Sequence, residues 1–250
     1  MNISDILNKY IVGLDTTKYN NTILYFNDKT KNALKINQTN IPIQNIYQTR
    51  IICTSDTHTL HRNIDIPKCD IFIHNGDIAL QGRVYSEDDS IAFYKDFNEW
   101  LKKIPATYKI VIGGNHDYYL EKIGEIQSQK LLSNCKYLVN SLITINGLNI
   151  LGSPINIGNS KNKAFQSKIY FDKFLEKLEN NKIDILLTHS NVIDPIIIKK
   201  YDIKYHIWGH YHENYGIYEQ IYKGYKWMSI CTCALDSSYS LKNGPVIIDY

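Results

Sequence analysis

The strongest constraint on this chain is the placement of its polar residues at the ends of short apolar runs. Ile51–Thr54 opens into Ser55-Asp56-Thr57-His58, and Ile71–His74 into Asn75-Gly76-Asp77. Tyr108–Ile112 leads to Gly113-Gly114-Asn115-His116-Asp117, Ile183–Leu187 to Thr188-His189-Ser190, and Tyr205–Trp208 to Gly209-His210-Tyr211-His212. Each run has the length and β-branched content of a buried strand. Helical patterns alternate with them. Ile91, Tyr94, Phe97, Leu101 and Ile104 recur at helical spacing until Pro105, and a second helix is expected through Ile169–Leu178. Such alternation gives an α/β layered fold. Open α/β sheets bind ligands beyond the carboxyl ends of their strands, so strand ends carrying Asp, His or Asn point to one polar site.

The histidines test that reading. Of eight, five (His58, His116, His189, His210 and His212) sit at these strand ends. Core histidines scattered for packing would not concentrate so. Imidazole nitrogens mixed with carboxylate and amide oxygens are a donor set for divalent transition metals. His74 and His206 lie inside strands, as packing residues or as hydrogen-bond partners of the ligands. His61, Arg62 and Arg83 stand in the loops after the first two strand ends. They are either solvated loop residues or contacts to an anionic substrate, for which Arg supplies a fork that Lys cannot. Cys231-Thr-Cys233 reads as packing on one face of a strand, and five cysteines in a chain of this length read as reduced thiols.

The remaining features set limits. At 250 residues and 44% hydrophobic composition the chain is globular and long enough for a sizeable core. A net charge of +3 without a basic stripe argues against a long nucleic acid as partner. No apolar run approaches the 18 residues of a membrane span, and the first ten residues form no continuous apolar signal segment, so a cytoplasmic protein is expected. Residues 1–49 are rich in Asn, Lys and Thr, with one strand expected at Ile23–Phe26. They are expected to form a partly ordered N-terminal extension docked on a single domain, residues 50–250. Asn146-Gly147 and Lys223-Gly224 mark two hairpin turns.

Asp56-x-His58, Gly76-Asp77, Gly114-Asn115-His116-Asp117, His189 and Gly209-His210-x-His212 resemble, in order, the signature blocks of the calcineurin-like metallophosphoesterases. Asp96-Phe-Asn-Glu-Trp-Leu101 and Gly209-His-Tyr-His-Glu-Asn-Tyr-Gly216 look like the metallophosphoesterase-domain-containing (MPPED) branch. The resemblance implies an α/β fold of two packed mixed β-sheets flanked by helices, a four-layer αββα sandwich, with residues 50–250 as the catalytic domain. It also implies two divalent metal ions, Mn²⁺ with Fe or Zn²⁺ as alternatives. Asp56, His58 and His212 would hold one, Asn115, His189 and His210 the other, and Asp77 would bridge them. A metal-bridging hydroxide would attack phosphorus while His116 protonates the leaving alkoxide, with Asp117 orienting His116 or packing behind it. The implied substrate is a small phosphodiester such as a cyclic nucleotide. A phosphomonoesterase and a non-catalytic metal-binding scaffold are the alternatives. Two departures bear on substrate recognition: Ser190-Asn-Val-Ile-Asp-Pro195 replaces an apolar continuation, and Ile155 and Ile157 stand where the branch has Trp.

Overall fold

The computed structural model describes residues 21–80, 86–157, 160–178 and 182–250. The first strands are β1 (Thr22–Asn27), β2 (Asn32–Asn37), β3 (Arg50–Thr54), β4 (Cys69–Asn75), β5 (Ala106–Ile112) and β6 (Lys136–Tyr137). A second set comprises β7 (Ser141–Ile145), β8 (Leu148–Ser153), β9 (Ile185–Thr188), β10 (Tyr205–Trp208), β11 (Gly216–Tyr222) and β12 (Tyr225–Cys231). The last strand, β13 (Val246–Asp249), returns to the first set. The resulting mixed sheets have the orders β2-β1-β13-β3-β4-β5-β6 and β11-β12-β10-β9-β8-β7.

Side-chain alternation dictates the layering. In β3, Ile51 and Cys53 enter the core between the sheets, while Ile52 faces the helix layer. β4 does the same with Ile71 and Ile73 against Phe72, and β5 with Ile110 and Ile112 against Val111. In the second sheet, Ile185 and Leu187 of β9 face inward and Leu186 outward. A strand buried on both faces reads as a continuous apolar run, which makes these strands legible in the sequence.

Helix α1 (Glu87–Lys103) packs Phe93, Phe97 and Leu101 on the first sheet. Ser86 caps it by accepting from Asp89 N at 3.1 Å, acidic residues fill its first turn, and it stops before Pro105. Helix α2 (Tyr118–Leu131), which the apolar pattern does not announce, starts directly after Asp117. Helix α3 (Lys168–Lys177) packs Phe171 and Leu175 on the second sheet. The apolar run Ile196–Ile198 belongs to a helix, α4 (Pro195–Lys200), because Asp194 caps it and Pro195 occupies its first position. Both hairpin turns have two successive left-handed residues, Asn146 (φ 51°) with Gly147 (φ 78°) and Lys223 (φ 46°) with Gly224 (φ 77°).

The part of the N-terminal segment that is described joins the first sheet. Strand β1 pairs in parallel with β13, and Ile23, Tyr25 and Phe26 are buried. No helix among the described residues is long and apolar enough to cross a membrane.

Candidate metal centre

The carboxyl ends of β3, β4 and β5 in one sheet and of β9 and β10 in the other open into one pocket. There the potential ligand atoms of Asp56, His58 and His212 lie within 4.8 Å of one another, as do those of Asp77, His189 and His210. A third such set, His58, Asp77 and His116, shares members with both. Asn75, at the end of β4, ties the sheets together by donating its amide to the carbonyls of Thr188 (2.5 Å) and Ile207 (3.0 Å).

The backbone is strained where these side chains leave it. Asp56 (φ 50°), His58 (φ 41°), Asp77 (φ 54°) and His210 (φ 70°) all adopt left-handed conformations that L-residues avoid. Each costs on the order of 1–3 kcal/mol and persists only where the surroundings over-determine it. Two glycines provide room. A Cβ on Gly114 would strike Asp77 and come within 2.7 Å of the His189 ring, and one on Gly209 would strike the Asp56 carboxylate.

Hydrogen bonds fix which ring nitrogens face the pocket. Nδ1 of His58 lies 2.9 Å from Ala79 O, that of His189 3.0 Å from Asn75 O, and that of His212 2.9 Å from Asp236 O. A carbonyl can only accept, so each Nδ1 carries a proton and each ring turns its Nε2 inward. The acceptors then meet. Nε2 of His58 and His212 are 3.4 Å apart, His212 Nε2 is 3.6 Å from Asp56 Oδ1, and His189 Nε2 is 3.3 Å from Asp77 Oδ2. Asn115 Oδ1 sits 2.9 Å from His189 Nε2 and 2.8 Å from His210 Nδ1. Lone pairs and carboxylates converging in a buried space call for positive charge between them.

The electrostatics agree. Burial would raise Asp56 and Asp77, but the surrounding imidazoles hold both below the ordinary carboxylate value. Burial pushes His58 down to about 3 and His210 to about 4, leaving neutral rings suited to ligation. His189 is the exception: burial opposes its protonation, yet Asp77 and Asp56 lift it to about 10. The pocket thus draws a cation, and these residues fit a pair of divalent ions.

The supporting residues are specific. His74 Nε2 lies 3.0 Å from the Thr57 hydroxyl between Asp56 and His58, and His206 Nε2 lies 2.7 Å from that of Thr188, beside His189. Each strand histidine therefore props a ligand loop. Cys231 and Cys233 are buried with their sulfurs 3.5 Å apart. The Cys233 thiol, kept protonated chiefly by burial, donates to Asp56 Oδ2 at 3.2 Å.

The remaining candidates have other partners. Of the two places expected for Asp117, it takes the one behind the strand-end loops and forms no hydrogen bond with the His116 ring. It is fully buried and accepts from the backbone of Ala79 (3.1 Å) and Gly114 (2.8 Å) and from the Tyr94 hydroxyl (2.9 Å), so it binds two ligand loops to α1. Burial and the Asp77 charge push it up to about 6. His61 and Arg62 are not free for substrate. Asp96 on α1 accepts from His61 Nε2 at 3.0 Å and grips Arg62 through Nε (2.9 Å) and Nη2 (2.6 Å). The His61 ring is buried against Phe97 and Trp100. Arg83 lies outside the described residues.

A strap after β8 also reaches the pocket, without any signal in the sequence. Ser160 Oγ accepts from Asn115 Nδ2 at 3.1 Å, which turns Asn115 Oδ1 toward the pocket. Asn162 Nδ2 lies 3.1 Å from His116 Nε2, and Ala164 N donates to Asn115 O at 3.2 Å. Neither Ser160 nor Asn162 adjoins an apolar run, so no local pattern marks them.

Comparison with known proteins agrees with this architecture. A solved structure 13% identical in sequence superposes with a TM-score of 0.50, covering 73% of this chain and 90% of that one. The human and mouse proteins named Metallophosphoesterase domain-containing protein 1 are each 31% identical over 251 residues, 80% of this chain and 71% of theirs. A Caenorhabditis elegans UPF0046 protein is 26% identical over 81% of each chain. The calcineurin-like phosphoesterase model matches residues 49–214, which span the strand ends that build the pocket, and the chain belongs to that family.

Proposed function

We propose that the protein is a two-metal phosphodiesterase acting on a small phosphodiester, with a nucleotide as the favoured class. The observation that carries this reading is the convergence of the inward-facing ring nitrogens of His58, His189 and His212 on Asp56, Asp77 and Asn115. Asp56, His58 and His212 would hold one ion, Asn115, His189 and His210 the other, with Asp77 shared. The nitrogen–oxygen set suits Mn²⁺, Fe or Zn²⁺ better than Ca²⁺. Bound there, such ions supply Lewis acidity toward a phosphoryl group and lower the pKa of water.

The chain's own residues do the rest. Carbonyl-anchored Nδ1 atoms hold the imidazoles in one tautomer. Asp77 Oδ1 accepts from His116 N at 2.9 Å, and His116 Nε2 stands 3.9 Å from Asp77 Oδ2, in position to protonate a leaving alkoxide. A diester is favoured over a monoester dianion because both arginines among the described residues, Arg50 and Arg62, are committed to carboxylates, so neither offers its guanidinium to a dianion. A nucleotide is favoured because Tyr239 packs on His58 and His212 (ring centroids 5.0 and 5.1 Å apart) and Tyr211 on His210 (4.7 Å), which sets half-buried aromatic rings beside the candidate ligands. The test is hydrolysis of bis-p-nitrophenyl phosphate, p-nitrophenyl phosphate and 2′,3′- and 3′,5′-cyclic nucleotides by the Mn²⁺-loaded protein. Turnover of the diesters that disappears in Asp77→Ala is expected. Preference for p-nitrophenyl phosphate, or activity unaffected by Asp77→Ala, would overturn the reading.

A further inference from the structure

The pocket contains one imidazole too many. His116 belongs to a ligand-like set with His58 and Asp77, and its geometry resembles theirs: Nδ1 bonds a carbonyl, that of Leu80, and Nε2 faces Asp77. By ring geometry alone it would be a further ligand rather than an acid. One contact separates it from the other ring nitrogens. His58 and His212 face each other's lone pairs, and His189 and His210 face Asn115 Oδ1, whereas His116 Nε2 meets the amide of Asn162 at 3.1 Å.

The roles in that contact are set by the ring's other side. Leu80 O can only accept, so it takes the Nδ1 proton, and Asn162 presents its NH₂, which can only donate, to Nε2. The strap holds Asn162 in place. Asn162 N donates to Ser160 Oγ at 3.2 Å, and the same hydroxyl accepts from the ligand Asn115 at 3.1 Å. Farther along, Phe165 N donates to Glu121 on α2 at 2.7 Å, and Asn156 N donates to Phe165 O at 3.1 Å.

We infer that Asn162 is a positioning residue that keeps His116 out of the metal shell by occupying its Nε2 lone pair. The inference rests on the two-metal reading and adds the residue that separates acid from ligand. An amide suits this task because it can turn about its last torsion. Either its NH₂ or its oxygen can be presented to the ring nitrogen, while the strap fixes its backbone.

The test compares wild type, Asn162→Ala, His116→Asn and the double variant, reading Mn²⁺ affinity by titration and hydrolysis of aryl phosphodiesters with good and poor leaving groups. Asn162→Ala is expected to bind Mn²⁺ about tenfold more tightly, because His116 gains a vacated lone pair for the ion. The same variant should lose about a hundredfold on poor leaving groups with little change on good ones, as expected for loss of acid catalysis. Adding His116→Asn should return the affinity to that of His116→Asn alone and cost no further rate. Asn162→Gln, which keeps the amide, should recover part of the leaving-group selectivity. Unchanged Mn²⁺ affinity in Asn162→Ala, or equal losses on good and poor leaving groups, would overturn the inference. The titration needs no turnover, so it decides this point separately; failure of the two-metal reading would show instead as a wild type that binds no Mn²⁺.

Discussion

Two buried polar clusters lie at opposite ends of β3, and they differ in how their charges close. At its start, Arg50 forms a two-point pair with Asp249 of β13, both contacts 2.7 Å. Two more contacts tighten it: Arg50 Nη2 donates to Pro42 O at 2.8 Å, and the Tyr25 hydroxyl donates to Asp249 Oδ2 at 2.8 Å. At the other end, two carboxylates, an amide oxygen and several imidazoles converge, and no Lys or Arg among the described residues pairs with the carboxylates. A closed cluster holds strands together, here joining β1, β3 and β13. An open one, built on strained backbone, has charge to offer a ligand. Burial alone does not distinguish them, since Asp56, Asp77 and Asp249 are all nearly inaccessible.

The contrast can be broken at either end. Asp77→Asn should cut Mn²⁺-dependent diester hydrolysis at least about a thousandfold while leaving the metal-free protein no less stable, as an activity assay and a thermal melt would show. Arg50→Met should do the reverse. It strands Asp249 as a buried unpaired charge, costing about 3–5 kcal/mol of stability by denaturant titration, with turnover per folded molecule unchanged. Mn²⁺ at a hundredfold excess over its Kd should stabilise wild type by about 2.7 kcal/mol, a rise of roughly 5–10 °C in Tm. The same addition should shift Asp77→Asn far less. Ser160→Ala, which frees the Asn115 amide to rotate, should weaken metal affinity about tenfold in the same titration.

The smallest expected effect is a pH dependence outside both clusters. Burial would raise Asp96, but the hydrogen bonds from His61 and Arg62 outweigh it and hold the carboxyl at about 2, below its ordinary 3.8. A depressed folded value means that this contribution is fully present above about pH 4 and is lost as pH falls through about 2. Asp96→Asn should flatten that part of the acid stability profile. An unchanged slope would show that the His61 and Arg62 contacts are not the cause of the low Asp96 value.

Legibility in the sequence depends on distance along the chain. Each candidate ligand follows closely on an apolar run, and the sheets supply the convergence, so Asp56, His58, Asp77, Asn115, His189, His210 and His212 can be named together. Their partners are another matter. Asn162 reaches His116 across 46 residues, and Asp96 takes His61 across 35, from a helix whose apolar stripe is its only visible signal. Adjacency misleads at Asp117: its neighbour His116 suggests a contact, whereas its carboxylate turns toward Ala79 and Tyr94. The pairing of β1 with β13 joins the two ends of the described chain, which no local pattern encodes. The Pro195-Ile-Ile-Ile198 run is ambiguous by periodicity alone, and its cap decides for helix.

The most direct test counts ions. Wild type and Asp77→Asn are dialysed to equilibrium against Mn²⁺, and bound metal per chain is measured by elemental analysis. Two ions on wild type, with at least one lost from Asp77→Asn, is the expected result. A single ion on wild type, or equal loading of both proteins, would contradict a shared carboxylate at the centre of the pocket.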